Sequence, residues 1–343
     1  MTHLRPIQEH LNRWMLAYVS LAIVVGLVLG EAFAGWTKAN AGAVGGLTTA
    51  AVFLIIYPMM VNVRFEALLR AGRNLRGIGI ALAFNFIWAP VLGWLLASVF
   101  ISDPVLTLGF LLVMVVPCSS MAIGYTGLAK GDLELATVVV ALSFILAIVA
   151  VPLWMTVFAS RYGIAVPMGD LISSILTVLV APMILGYATR RVLLRGLGAA
   201  RFAAIAPLFP ALSLLGMYSI VFLIFFGKAT LILDQWQTVA ILLIPNALFI
   251  GLSLAALTWL DRRLGLGYAE HMAVAFTSTG KNNGTAIAIA TTAFSPLVAI
   301  PAATMPIFQI LLMVFYLRAA PWLRTRFAKP EAAGPVVAPQ ATV

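Results

Sequence analysis

The chain is poor in cysteine, histidine and charge. Cys118 is its only cysteine, so an intramolecular disulfide and a cysteine-rich metal site are both excluded. Three histidines, two of them at His3 and His10, also argue against a zinc centre. Only 9% of the 343 residues are charged, whereas 63% are hydrophobic, and the mean hydropathy is +1.07. These values exclude a soluble domain and predict a polytopic, all-α membrane protein.

Long apolar runs predict ten transmembrane helices. They fall at residues 15–33, 44–61, 77–100, 105–129, 134–159, 170–189, 207–226, 237–260, 268–294 and 297–317. The remaining tail, 329–343, contains several prolines and alanines, and we expect it to be a disordered cytoplasmic extension.

The basic residues that give the formal net charge of +10 are distributed unevenly between the two sides of the predicted membrane topology. With the N-terminus in the cytoplasm, seventeen basic residues lie on the cytoplasmic side and three, Lys38, Arg161 and Lys228, on the other. Lys281 alone lies inside the membrane. This positive-inside bias predicts a protein of the cell (inner) membrane with both termini cytoplasmic. A nucleic-acid partner is therefore not expected.

Ten helices divide into two sets of five, 1–160 and 161–328. Because five is odd, the second set enters the membrane from the opposite side, which is the condition for an inverted repeat. Asn85 and Asn246 lie 161 residues apart, and Cys118 and Gly280 lie 162 apart, so the register is nearly constant. We therefore predict two inverted five-helix repeats.

Pro117 interrupts the fourth predicted helix, because proline lacks a backbone donor and clashes with the carbonyl four residues earlier. Cys118, Ser119 and Ser120 then lie near the start of a new half-helix. Its N–H groups and positive dipole end attract anionic or electron-rich ligands. The alternative interpretation is a simple proline kink with Cys118 packed as a small apolar residue.

The ninth predicted helix is interrupted by the run Gly280-Lys281-Asn282-Asn283-Gly284. A lysine near the centre of a membrane helix costs about 3 kcal/mol on insertion scales, and no acidic residue lies in the interior of another span. Lys281 is therefore expected to be neutral or to face water, carbonyls or a bound anion, unless it snorkels to the interface. Polar groups are tolerated in hydrocarbon only where they face protein or a water-filled cavity, so both interruptions are predicted to form the substrate site.

Other polar residues also lie within the predicted spans. Asn85 and Asn246 occupy matched positions in the two repeats and are candidates for lining the site, although intramembrane amides more often link neighbouring helices. We expect His271, close to the end of its span, to be interfacial. The candidates for ion coupling are Lys281, Ser278, Thr285 and Ser143.

Several short elements together point to a known family. They are Ile56-Tyr57-Pro58-Met59-Met60-Val61, Pro117-Cys118 with Met121, Leu128-Ala129-Lys130-Gly131-Asp132, Val140-Ala141-Leu142, and Asn282-Asn283 followed by Ala286-Ile287-Ala288-Ile289-Ala290. With these elements, nearly the whole chain resembles the arsenical-resistance (arsenite) permeases of the bile acid, arsenite and riboflavin transporter superfamily.

The resemblance implies that Cys118 is the thiol needed to move arsenite or antimonite, with trivalent arsenic bound only transiently and no resident metal or cofactor. It implies that helices four and nine are broken, crossing helices of a core domain of helices 3–5 and 8–10. This core would rock against a panel domain of helices 1, 2, 6 and 7. It also implies export in exchange for protons. Trivalent arsenic is thiophilic, and one thiolate offers a single exchangeable bond.

The chain departs from these relatives at two places. Arsenite permeases carry a glutamate shortly after the paired asparagines, where this chain has Gly284 and Thr285. The related bile acid:sodium symporters ligate sodium through a glutamate and a glutamine, whose positions correspond to Ser278 and Asn282. Lys281 is therefore expected either to replace a bound cation or to lose and regain a proton itself. Proton coupling, sodium coupling and uncoupled transport all remain open.

The leading hypothesis is a secondary transporter that exports arsenite or a related oxyanion through the lipid bilayer. The runner-up is a sodium- or proton-coupled carrier of a small organic anion, with Lys281 pairing the carboxylate or sulfonate. An intramembrane enzyme with Cys118 as nucleophile would need His271 as its base. A sensor that does not transport is the fourth alternative.

Overall fold

We describe the protein from a computed structural model, which covers residues 4–63, 74–119, 121–162, 168–234 and 236–327. Within these ranges the backbone consists of helices and short connections, together with one isolated β-bridge. Two of the predictions above, those for Ser120 and for the tail 329–343, lie outside the described residues.

Nine α-helices lie within the described residues up to 162. They are α1 (Leu4–Arg13), α2 (Met15–Ala32), α3 (Ala34–Ala39), α4 (Ala41–Asn62), α5 (Leu75–Ala83), α6 (Ala89–Phe100), α7 (Pro104–Val115), α8 (Met121–Leu128) and α9 (Leu133–Arg161). A π-helical turn, Phe84–Trp88, joins α5 to α6, so that Leu75–Phe100 is one continuous helix.

Ten more lie within 168–234 and 236–327. They are α10 (Met168–Ser174), α11 (Ala181–Ile205), α12 (Leu208–Gly227), α13 (Ala229–Asp234), α14 (Trp236–Ile241), α15 (Leu243–Arg263), α16 (Tyr268–Thr279), α17 (Asn283–Ile289), α18 (Ile300–Arg318) and α19 (Ala320–Phe327). The π-helical segment Ile175–Val180 joins α10 to α11, and another, Ala290–Phe294, extends α17.

Eight helices of the described chain are long and apolar enough to cross a membrane. They are Met15–Ala32, Ala41–Asn62, Leu75–Phe100, Leu133–Arg161, Met168–Ile205, Leu208–Gly227, Leu243–Arg263 and Ile300–Arg318. Each coincides with one predicted span, which confirms an all-helical, multi-pass membrane protein. The other two predicted spans, 105–129 and 268–294, each contain two shorter helices, α7 with α8 and α16 with α17.

One group of helices packs around α12, which lies against α2 and α4, while α11 lies against α4. The close approach of α2 to α12 depends on Gly26 and Gly30. A β-carbon on Gly26 would lie 2.9 Å from the carbonyl oxygen of Phe222, and one on Gly30 would collide with the carbonyl of Phe226. Small residues spaced four apart are a common means of close helix packing in membranes.

A second group contains α5 to α9 and α15 to α18. Within it, α16 contacts α5, α8, α9 and α15, and α7 contacts α6, α9 and α18. The two groups meet where α17 lies against α4 and where α18 lies against α2. The connections between α7 and α8 and between α16 and α17 lie within the second group, close to this contact.

Candidate functional site

The two interruptions of helical structure face each other. Between α7 and α8, and again between α16 and α17, the chain becomes extended, and Cys118 and Lys281 form an antiparallel bridge. The Ser119 N–H donates to the carbonyl of Gly280 at 2.7 Å, and the Asn282 N–H donates to the carbonyl of Pro117 at 3.0 Å. This arrangement makes Cys118 and Lys281 a non-hydrogen-bonded pair, in which directly opposed side chains lie closest.

The bridge satisfies backbone groups that the helix ends leave without partners. Proline at position 117 provides no N–H, and helix α7 stops two residues before it, at Val115. Each interruption would otherwise expose donors and acceptors to hydrocarbon, where an unpaired backbone group costs several kcal/mol. The two interruptions therefore stabilise each other.

Cys118 is fully buried. Its Sγ lies 3.1 Å from the Oγ of Ser143 on α9, and that hydroxyl lies 2.8 Å from the carbonyl oxygen of Val140. A serine hydroxyl carries a single hydrogen. Because that hydrogen is donated to Val140, the thiol is the donor toward Ser143. The structure thus brings two of the predicted site residues, Cys118 and Ser143, into direct contact.

Lys281 is also fully buried, and its ammonium group is held by one residue. Its Nζ donates to the backbone oxygen of Asn85 at 3.1 Å and to the side-chain Oδ1 of Asn85 at 3.2 Å. Among the described residues it has no carboxylate partner. The lysine therefore does not snorkel to the interface, and it faces oxygen atoms as predicted for a lysine at this depth.

Asn85 lies in the π-helical turn between α5 and α6. Its carbonyl is free to accept from Lys281, because the Ala89 N–H donates to Phe84 instead and Pro90 has no N–H. Its Nδ2 donates to the carbonyls of Ala81 and Thr277, both at 2.9 Å. The Thr277 carbonyl belongs to the last turn of α16 and has no partner within that helix. One asparagine thus orients the lysine and caps the helix that leads to it.

The two asparagines after Lys281 begin α17. The side chain of Asn282 accepts from the N–H of Thr285 at 3.1 Å, which is an N-cap hydrogen bond. The Nδ2 of Asn283 donates to Oε1 of Gln309 at 3.4 Å, and Nε2 of Gln309 donates to the Lys281 carbonyl at 3.2 Å. Gln309, on α18, was not predicted as a site residue.

Five buried polar side chains carry atoms without a hydrogen-bond partner among the described residues. They are the amide of Asn246, the hydroxyls of Ser278 and Thr285, Oδ1 of Asn283 and Oδ1 of Asp261. Unpartnered polar atoms are uncommon in protein interiors, and a bound water, ion or ligand is one explanation for them. No hydrogen bond joins Asn246 to Asn85 or Lys281 within the described chain, so the two matched asparagines have different surroundings.

A second buried polar cluster contradicts the expectation that His271 is interfacial. His271 is fully buried, with Nδ1 2.6 Å from Oδ2 of Asp261 and Nε2 2.6 Å from the hydroxyl of Tyr316. Tyr316 in turn lies 2.6 Å from the hydroxyl of Thr258. The short helix α19 covers the cluster, and the Phe327 ring stacks on His271 with centroids 4.2 Å apart.

We expect His271→Phe to lower the free energy of unfolding by about 3 kcal/mol, because it leaves the buried Asp261 carboxylate without its partner. Thermal melting of the purified protein in detergent measures the effect. His10→Phe is the matched control, since His10 also bonds a tyrosine, Tyr18, but is exposed. Equal melting temperatures for the two variants would show that the cluster does not contribute to stability.

The protein combines long apolar helices with buried polar residues at the point where two interrupted segments face each other. Secondary transporters share this combination of features. The chain belongs to the sodium bile acid symporter family, whose profile matches residues 49–235, more than half of its length. It is therefore a multi-pass membrane protein of a transporter family.

Individual relatives extend the similarity. The arsenical-resistance protein Acr3 of Corynebacterium glutamicum is 25% identical over 331 residues, which cover 91% of this chain and 89% of that protein. Acr3 of Alkaliphilus metalliredigens is 23% identical over 253 residues, covering 68% of this chain and 70% of the relative. The uncharacterized sodium-dependent transporter YocS of Bacillus subtilis is 28% identical over 205 residues, covering 60% and 61%. These relatives confirm the resemblance to arsenite permeases.

Proposed function

We propose that the protein exports trivalent arsenic or antimony across the cell membrane by alternating access, with Cys118 as the residue that binds the metalloid. The observation that carries the proposal is the position of this thiol. The only sulfhydryl of the chain is buried opposite Lys281, at the point where two interrupted helical segments meet. Two relatives that are named for arsenical resistance support the choice of substrate.

The proposal includes ten spans in two inverted repeats, 1–160 and 161–328, with both termini in the cytoplasm. In addition to the eight long helices, α7 with α8 and α16 with α17 each make one interrupted crossing. The antiparallel direction of the Cys118–Lys281 bridge supports this arrangement, because segments related by a two-fold axis in the membrane plane run in opposite directions. The two residues lie 163 positions apart, close to the repeat spacing of the sequence.

The packing of the helices supports a panel and a core. Spans 1, 2, 6 and 7 correspond to α2, α4, Met168–Ile205 and α12. Helix α12 packs against α2 and α4, and the α11 part of Met168–Ile205 packs against α4. The remaining spans carry Cys118, Lys281 and Asn85 and form the core. Movement of the core against the panel would expose the pair of interruptions to one side of the membrane and then to the other.

The reaction of a single thiol with trivalent arsenic or antimony supports reversible binding at Cys118. A thiol displaces one hydroxyl of trivalent arsenic or antimony, forming a sulfur–metalloid bond and releasing water. Sulfur is the soft ligand that such ions prefer. With a single thiol in the chain, the metalloid keeps its other hydroxyls, and water reverses the step. The unpartnered atoms of Ser278, Asn283 and Thr285 are available to bond those hydroxyls.

Lys281 supplies a built-in positive charge at the site. Its ammonium group occupies a position beside two oxygen atoms of Asn85, where a sodium ion would otherwise find ligands. We propose that it takes the place of a coupling cation, so that transport needs no sodium. Of the remaining candidates for ion coupling, Ser143 bonds the thiol, while the hydroxyls of Ser278 and Thr285 have no hydrogen-bond partner in the part of the chain that the structure describes.

The second candidate function is a sodium- or proton-coupled carrier of a small organic anion. It is favoured by the buried ammonium group of Lys281, which would pair with a carboxylate, and by the relative named as a sodium-dependent transporter. The two functions differ in their need for sulfur. Organic anion transport would survive Cys118→Ser, whereas metalloid transport would not.

Arsenite accumulation in an arsenite-sensitive bacterial host tests the proposed function. Cells that express the wild type are expected to hold several-fold less arsenic than cells with an empty vector, and to grow at higher arsenite concentrations. Intracellular arsenic is measured by mass spectrometry after washing. Equal accumulation in the two strains, at confirmed membrane expression, would rule out export.

A further inference from the structure

One cavity is lined by neither Cys118 nor Lys281. It has a volume of about 330 Å³ and lies between α4, α12 and the π-helical extension of α17. Its polar lining consists of five threonines and one lysine, namely Thr37, Thr48, Thr49, Thr291, Thr292 and Lys228. In the proposed topology this is the side opposite the cytoplasm, at the contact between panel and core.

The threonine hydroxyls present only acceptors to this cavity. Each donates its single hydrogen to a carbonyl three or four residues earlier in the chain, at 2.7 to 3.1 Å. A hydroxyl whose hydrogen is committed in this way still offers a lone pair. A ligand that fits the cavity must therefore bring hydrogen-bond donors of its own.

Lys228 restricts the ligand further. It also lines the cavity, and its side chain carries a positive charge and N–H donors. A sodium ion would match the oxygens but would be repelled by the lysine. A carboxylate would match the lysine but would bring no donors for five hydroxyl oxygens. An uncharged molecule with several O–H groups matches both, because its hydrogens meet the threonines and an oxygen accepts from Lys228.

One face of α4 leads from this cavity to the interruption before α17. Val52 lines the cavity, and Ile55 and Met59 follow at intervals of about one helical turn. The Sδ of Met59 lies 3.5 Å from Nδ2 of Asn282. At Ile55 the route is closed, since a β-carbon on Gly284 would lie only 2.5 Å from Cγ2 of Ile55. The contact between Gly284 and Ile55 thus lies between the cavity and the interruption before α17.

We propose that this cavity is a second substrate site, which binds the uncharged trihydroxide form of trivalent arsenic or antimony after it leaves Cys118. The proposal rests on the proposed function for its substrate. Trivalent arsenic near neutral pH is an uncharged trihydroxide, with three O–H donors and three oxygens, and it meets the requirements set by the threonines and Lys228. The site requires no bond to sulfur.

Binding of arsenite to the purified full-length Cys118→Ser protein tests this inference without interference from the thiol. Equilibrium dialysis at neutral pH is expected to detect one saturable site, which glycerol displaces and which sodium acetate does not. Adding Thr291→Val and Thr292→Val should weaken binding at least about tenfold, because two acceptors are lost without a change in size. Adding Thr177→Val instead is the matched control, since Thr177 makes the same helix bond but is exposed.

The outcomes separate the second site from the proposed function. No saturable binding, or binding that Thr291→Val and Thr292→Val leave intact, overturns the second site even if the wild type exports arsenite. Binding that depends on these threonines supports the second site even if the wild type exports nothing, in which case the proposed function fails on its own test. Displacement by acetate would overturn the choice of an uncharged ligand.

Discussion

Cells that express Cys118→Ser are expected to accumulate as much arsenic as cells without the protein, a loss of at least about tenfold in export rate, or ~1.4 kcal/mol in the barrier. Serine fits the same buried space and retains a hydrogen bond to Ser143, but its oxygen is a hard ligand for which trivalent arsenic has little preference. Arsenite efflux from preloaded cells measures the rate, with the amount of protein in the membrane held equal by immunoblot.

Ser143→Ala is the matched control for this result. It removes the acceptor of the thiol hydrogen but leaves the sulfur in place, so we expect export to fall by less than about threefold. If Cys118→Ser exported arsenite at the wild-type rate, the thiol would have no part in transport. A small organic anion would then become the better substrate class.

Replacement of Lys281 by alanine is expected to make arsenite transport dependent on sodium. The substitution removes a buried charge and leaves the two oxygens of Asn85 without their donor, beside the space that the lysine occupied. Oxygen atoms of this kind ligate hard cations, and unpartnered buried acceptors are costly. In sodium-free medium we expect at least about a tenfold loss of flux, since the site lacks its positive charge, and partial recovery when sodium is added.

Flux into proteoliposomes, with choline replacing sodium, measures this dependence. Lys281→Met is a useful second variant, because its side chain fills much of the same space and should prevent rescue by sodium. Lys38→Ala controls for the loss of an exposed lysine and is expected to behave as the wild type. A wild-type flux that requires sodium would contradict the role proposed for Lys281, as would full activity of Lys281→Ala without sodium.

Much of the fold could be predicted because apolar runs long enough to span a bilayer leave few alternatives. The position of each break was also predictable, since Pro117 and Gly280 disfavour continuous helix. The contact between Cys118 and Lys281 was not predictable from either run alone, because it joins residues 163 positions apart.

Side-chain surroundings were harder to predict than helix positions. Asn85 and Asn246 looked equivalent in the sequence, yet only Asn85 bonds Lys281, because a π-helical turn frees its carbonyl. His271 was wrongly placed at the interface, since nothing in the sequence indicated that α19 would fold over it. Gln309 lies within a long apolar run, and its polarity was the one signal that could have identified it.

Arsenite flux by the purified wild-type protein in proteoliposomes tests the central claim most directly. Arsenite at neutral pH is placed on one side of the membrane, and choline replaces sodium. We predict a saturable arsenite flux that exceeds the flux into protein-free liposomes and that is lost in Cys118→Ser. The arsenic that crosses is measured by mass spectrometry. A wild-type flux equal to that of protein-free liposomes, for arsenite and for antimonite alike, would contradict the account.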